Sequence, residues 1–258
     1  FQISLNNFYI CSLSSKSIIY KGMFLAEAIS EFFLDLKDER FVSRYAIFHQ
    51  RFSTNTAPSW NLAQPFRAIA HNGEINTYRG NKNWMKVHEQ EMNSPLFDNI
   101  ENLKPVIQQG ASDSAALDNV FELLNISGQP APLAKLMLVP DAWSKKNKTL
   151  SKDHQQLFNF LNSTMEPWDG PAAIAGTDNE WVIAANDRNG LRPLRYAITK
   201  DNLSDLKVSK DEIIENVAEK ILTQEKTVAV IDKSNKIIGS INPSKIINTV
   251  FGGRKNNN

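Results

Sequence analysis

The sequence predicts an α+β fold built in layers, and three observations predict it. Short apolar runs with strand character lie towards both ends of the chain, segments with helical periodicity lie between them, and several of the strand-like runs are joined by short turn-forming links such as Asp178-Asn179. Strand-like runs separated by such links pair as antiparallel hairpins. Strands grouped together, with helices between the groups, favour a layered sandwich over a doubly wound parallel sheet.

The first strand-like runs are FYICSL (8–13), SIIYKG (17–22), YAIFHQRF (45–52) and FRAIAH (66–71). Between the second and third, LAEAISEFFLDL (25–36) repeats its apolar residues at helical spacing. NTYRGNKNWMKVHEQEM (76–92) also reads as a helix. Ser112 and Asp113 are candidate caps for SAALDNVFELLNI (114–126), where Leu117, Val120, Phe121 and Leu124 form one apolar face. PLAKLMLV (132–139) and DHQQLFNFLNS (153–163) are further helices. Strand character returns in PAAIAGT (171–177), EWVIAAND (180–187), LRYAIT (194–199) and KTVAVID (226–232).

The length of 258 residues suits one large domain, or one domain and part of another. With 29 Lys and Arg against 28 Asp and Glu, the chain has no basic field suited to nucleic acid or an anionic membrane. A single cysteine, Cys11, excludes an internal disulfide or a multi-cysteine metal site in these residues, and is expected to be a buried small hydrophobe on a strand. His49, His71, His88 and His154 lack metal-ligand spacing. No apolar run approaches the roughly twenty residues that span a bilayer, and no signal-peptide pattern is present. The expected location is the cytoplasm. The opening Phe1 and the polar tail FGGRKNNN lead to the expectation of an internal piece of a longer protein.

Four short segments carry possible chemistry. In HNGEIN (71–76), Asn-Gly after an apolar run ordinarily makes a tight turn, because Gly takes positive φ freely and Asn tolerates it. The same pair also places a side-chain amide beside a backbone N–H, the equipment for holding an oxyanion. In RFSTNT (51–56), Arg51 is either a solvated strand-end charge or a two-pronged clamp for a carboxylate. In GASDSAALDN (110–119), Asp113 is either a helix cap or an acceptor for a substrate ammonium. NDRNGLRPLRY (186–196) reads as a charged structural turn between two strands.

In this order, and with NWM (83–85), MLVPDAW (137–143) and PWDGPAAIAGTD (167–178), these motifs resemble the glutamine amidotransferase domain of glutamate synthases. That domain is a class II amidotransferase of the N-terminal-nucleophile hydrolase superfamily. The resemblance runs from about Phe8 to Tyr196 and weakens from TKDNLSDLKVSKDE onward. FYICSLSS, RFSTNT, HNGEIN and NWM together are specific to glutamate synthases. Class II relatives that make purine precursors, asparagine or glucosamine phosphate share only the shorter Arg, Asn-Gly and Asp signals.

The resemblance implies a four-layer αββα sandwich, incomplete at its N-terminus. Residues 1–240 would form a partial type 2 amidotransferase domain, and residues 241–258 a trailing segment that either starts another domain or is disordered. It also implies that an N-terminal cysteine attacks the glutamine side-chain amide, with its own α-amino group as base. Asn72 (side chain) and Gly73 (backbone N–H) would form the oxyanion hole, Arg51 would hold the substrate α-carboxylate, and Asp113 its α-ammonium. Cys11 does not fit the nucleophile, since its nitrogen is an amide, so the nucleophile is expected upstream and this chain alone is expected to be inactive.

In the full enzyme, ammonia would pass to a flavin site and combine with 2-oxoglutarate. FMN and an iron–sulfur cluster would lie in later domains, with no cofactor or metal held in these residues. NAD(P)H or ferredoxin would supply electrons, a small electron-transfer subunit would be a partner, and the plastid stroma would be the location in a photosynthetic eukaryote. Two alternatives stay open, namely the glutaminase domain of another class II amidotransferase and a glutamine-binding pseudoenzyme.

Overall fold

The computed structural model describes residues 9–51, 59–142, 151–197, 207–209, 228–231 and 237–241. The chain divides into two compact units with the boundary between Leu194 and Arg195.

In the first unit, β1 (Ile69–Gly73), β2 (Ala172–Thr177) and β3 (Val182–Asn186) form an antiparallel sheet in the order β1-β2-β3. The register sets His71 opposite Ile174, Asn72 opposite Ala173 and Gly73 opposite Ala172. The expected hairpin at 178–179 joins β2 to β3, with Asn179 at φ 73°, a left-handed conformation that Asn tolerates. Asp178 organises this turn. One oxygen accepts the N–H groups of Glu180 and Trp181, and the other accepts Ala131 N–H at 2.7 Å.

The helices are α1 (Ile29–Phe32), α2 (Tyr78–Glu91), α3 (Asp113–Ile126), α4 (Ala131–Leu138) and α5 (Lys152–Thr164). Four of the five expected helical segments are present within one or two residues of their expected limits. Ser112, not Asp113, caps α3, its Oγ accepting Ala115 N–H at 3.1 Å. Leu117, Val120, Phe121 and Leu124 face the core as their spacing predicts, together with Phe66, Ile69, Ile75, Met85, Leu138, Trp168 and Ile174. Burying this apolar surface is the main stabilising contribution to the unit. Among the described residues, no helix is long and apolar enough to cross a membrane.

Several expected elements are corrected. Residues 9–13, 17–22, 45–51 and 194–197 are not strands. Apolar content reports a tendency to burial, whereas a strand also needs a partner for its backbone groups. At Ile19 the backbone N–H goes instead to Ser12 Oγ at 3.1 Å. Cys11 is half-buried in a bend, not on a strand. The segment 25–36 is not one helix. It breaks into Ala26–Ala28, α1 and Leu34–Lys37, with Phe33 extended between the last two. Leu25, Phe32 and Leu34 remain exposed, so helical spacing found no core to bury its apolar face.

In the second unit, β4 (Lys207–Ser209) runs parallel to β5 (Val228–Ile231), and β6 (Ile237–Ile241) is antiparallel to β5. The expected strand 226–232 contains β5. The remainder of 194–199 and the end residues of 8–13 and 45–52 lie outside the described residues.

Candidate functional site

The segment HNGEIN leaves β1 between two anchors. On the β2 side, Glu74 N–H donates to Pro171 O at 3.1 Å and Thr77 N–H to Asp169 O at 3.2 Å. On the α3 side, Ile75 N–H donates to Asp113 Oδ2 at 2.7 Å. The backbones approach so closely that glycine is required twice. At Gly73, with φ +149°, an added Cβ would stand 1.8 Å from Pro171 O. At Gly170, with φ +159°, it would stand 2.0 Å from Glu74 O. Both conformations are also ones that side-chain-bearing residues rarely adopt.

The other end of β1 is held from the same helix. Asp118, fully buried on α3, accepts Ala68 and Ile69 N–H on Oδ1 at 2.8 and 2.9 Å, and Arg67 N–H on Oδ2 at 3.2 Å. Burial pushes this carboxyl up to about 6, with Glu122 acting in the same direction and the three backbone donors opposing both.

Among the described residues β1 is an edge strand of its sheet, and side chains partner both outer backbone groups of His71. His71 N–H donates to Gln64 Oε1 at 2.7 Å, and His71 O lies 3.1 Å from His49 Nε2. Strand alternation then turns the backbone of Asn72 towards β2, and the N–H of Gly73 outwards on the same side as His49. A pocket of about 170 Å³ lies at this place, lined by Phe48, His49, Ala70, His71, Asn72, Ala173, Ile174, Ala175 and Leu194. Asn72 is exposed there.

His71 itself is 3% exposed, and neither ring nitrogen has a hydrogen-bond partner among the described residues. Burial is the main reason its ring is pushed down to about 4; the charge of Asp113 opposes the shift and His49 adds to it. The ring is therefore neutral near pH 7.

The structure brings three of the four expected residues to one strand exit. Asn72 and Gly73 are consecutive on β1, and Asp113 is joined to Ile75 two residues on. Arg51 is exposed and is linked to β1 through its backbone, since Arg51 O and N lie 2.7 and 3.2 Å from His49 Nδ1. The turn in NDRNGLRPLRY follows β3, but residues 194–197 form no second strand for it to join. Asp187 gathers the N–H groups of Ala172, Asn189, Leu191 and Arg192, fastening the start of β2 to the end of β3. Burial opposes its ionisation, but these donors outweigh it and hold its carboxyl below the usual range.

Sequence reasoning missed His49, Asp118 and Asp187. The available signal for His49 is its place two residues before Arg51.

The family model for class II glutamine amidotransferases matches residues 2–240. The chain is 59% identical over 200 residues to the NADPH glutamate synthase large chain of Azospirillum brasilense, covering 77% of this chain and 13% of that protein. It is 50% identical over 204 residues to the NADH glutamate synthase of Saccharomyces cerevisiae, covering 78% and 9%. Against the ferredoxin-dependent glutamate synthase of Pyropia yezoensis the identity is 46% over 203 residues, covering 77% and 13%. The chain thus spans about a tenth of the length of these relatives.

Proposed function

This chain belongs to the class II glutamine amidotransferases, and we propose that it forms the glutamine pocket of a glutamate synthase. The observation that carries this reading is the exit of β1, where Gly73 is pressed against Pro171 while Asn72 faces the pocket. Asn72 Nδ2 and the outward N–H of Gly73 are the two donors to the amide oxygen of glutamine as it becomes an oxyanion. Arg51 holds the α-carboxylate. Asp113 holds the α-ammonium with the lone pairs that Ile75 N–H and the Ser114 hydroxyl leave free, because an ionised carboxylate offers about four acceptor sites.

The nucleophile is an N-terminal cysteine outside these residues. Its thiol attacks the amide carbon, and its α-amino group takes the thiol proton and passes it to the departing ammonia. Water then cleaves the thioester to release glutamate. The ammonia goes on to 2-oxoglutarate, and NADPH, NADH or ferredoxin supplies the electrons, through a small electron-transfer subunit in some forms. An iron–sulfur cluster takes about four thiolates, and this chain has one cysteine, Cys11. The cluster therefore belongs to another part of the complete protein, and we place FMN, its partner in carrying electrons to the reductive step, with it.

The finer architecture follows the same reading. Helices α3 and α4 pack against β1 and β3, and we assign the sheet to one half of a four-layer αββα sandwich. Residues 1–240 form the amidotransferase domain and 241–258 a trailing segment.

The test pairs residues with substrate groups in the complete protein. Arg51→Ala should weaken hydrolysis of glutamine far more than that of 4-aminobutanamide, which lacks the α-carboxylate. Asp113→Asn should likewise lose its discrimination against glutaramate, which lacks the α-ammonium. Equal losses on full and truncated substrates would remove both assignments.

A further inference from the structure

We infer that His49 is a positioning residue of the glutamine pocket, joining the backbone of Arg51 to the backbone of His71 and so setting the carboxylate clamp against the oxyanion strand. This rests on the roles given to Arg51 and Asn72 above.

His71 O can only accept a hydrogen bond, so His49 Nε2, 3.1 Å away, carries the proton and donates to it. Nδ1 faces Arg51, with Arg51 O at 2.7 Å and Arg51 N at 3.2 Å. A ring protonated on Nε2 alone accepts Arg51 N–H at Nδ1; a doubly protonated ring donates to Arg51 O. In the first form Nδ1 and Arg51 O, 2.7 Å apart, are two facing acceptors, so with Nε2 donating to His71 O the contact to the Arg51 carbonyl is a hydrogen bond only in the doubly protonated ring.

The need for such a bridge follows from the local fold. Residues 45–51 belong to no strand, and β1 presents its outer edge to them without a ladder. Gln64 and His49 satisfy the backbone of His71, and of these His49 alone also reaches Arg51. The ring lines the pocket beside Asn72. A displacement of about 1 Å in a substrate-positioning group is enough to lower turnover by about a hundredfold.

The experiment compares His49→Phe, His49→Gln and Arg51→Ala in the complete protein, using L-glutamine and, separately, ammonium chloride as nitrogen source. Phe fills the space without a donor, whereas the Gln amide can still donate to His71 O. The expected result for His49→Phe is a glutamine KM raised about tenfold or more, with parental ammonium-dependent glutamate formation. His49→Gln should recover most of the loss.

An unchanged glutamine KM in His49→Phe, or equal losses with glutamine and ammonium, would overturn the inference. So would a Gln variant no better than Phe. Should His49→Phe fail to fold, His49→Asn, too short to reach His71 O, takes its place with the same outcomes. Arg51→Ala separates the two levels. If it leaves the glutamine KM unchanged, the clamp assignment falls and the inference with it. If it raises KM while His49→Phe does not, the inference alone falls.

Discussion

The Asp113 carboxylate accepts the backbone N–H of Ile75 at 2.7 Å, so one side chain is both the proposed partner of the substrate ammonium and the anchor of the turn carrying Asn72 and Gly73. Five residues along α3, Asp118 anchors the entry to β1 in the same way, through Ile69 and its two predecessors. One helix therefore sets both ends of the strand.

The two tasks of Asp113 separate by substitution. Asp113→Asn keeps an oxygen for Ile75 N–H and loses the negative charge, so glutamine KM should rise with little change in kcat. Asp113→Ala loses the anchor as well and should also lower kcat, by about 1–3 kcal/mol in barrier terms for an amide left without its partner. Steady-state kinetics of both variants in the complete protein check this; identical behaviour of the two would refute the dual role.

His71 and Asp118 predict opposing pH effects on stability. The ring of His71 is at about 4 when folded, against an ordinary 6.5, so its contribution is complete above pH 6.5 and is lost as pH falls to about 4. The carboxyl of Asp118 is at about 6 when folded, against 3.8, so the folded state loses stability as pH rises from about 4 to 6. Each effect is about 3 kcal/mol, and between pH 4 and 6 they nearly offset. Asp118→Asn should expose the His71 effect. Its urea-unfolding free energy should fall between pH 6.5 and 4 by about 3 kcal/mol more than the parent's. Parallel pH profiles for variant and parent would contradict these shifts.

Two glycines provide a contrast. Gly73→Ala places a methyl group 1.8 Å from Pro171 O at φ +149°, and should destabilise the unit by about 3 kcal/mol or more through strain and displaced backbone. Gly80, exposed within α2, has nothing within 4 Å of an added Cβ. Gly80→Ala should therefore stabilise by about 0.4–1 kcal/mol. Thermal unfolding of both variants measures the difference, and a harmless Gly73→Ala would show that the close approach is not needed.

Much of this arrangement was legible in the sequence, for physical reasons that differ by element. The helices α3 and α4 show in apolar spacing because each has a core-facing stripe, Leu117, Val120, Phe121 and Leu124 in the first and Ala131, Ala134 and Leu138 in the second. The β2–β3 hairpin shows in its local turn chemistry at Asp178 and Asn179. The runs at 9–13, 17–22 and 45–51 have the apolar content of strands, but pairing depends on distant partners that composition does not encode. Asn72, Gly73, Arg51 and Asp113 are the candidates that order and resemblance supply. The bonds from Asp113 to Ile75 and from Asp118 to Ile69 were not, since they join residues 38 and 49 positions apart. A carboxylate at the start of a helix usually signals a cap, and here Ser112 takes that place.

The most direct test of the central assignment is Asn72→Ala in the complete protein, assayed with glutamine and with ammonium. Removing one oxyanion donor should raise the barrier to glutamine hydrolysis by about 3 kcal/mol, a loss of roughly a hundredfold or more in kcat. Ammonium supplied in excess with 2-oxoglutarate and reductant should restore glutamate formation to the parental ammonium-dependent rate, with unchanged thermal unfolding. A folded variant equally impaired with both nitrogen sources would contradict the oxyanion role and place Asn72 in the synthase step or in the coupling of the two sites.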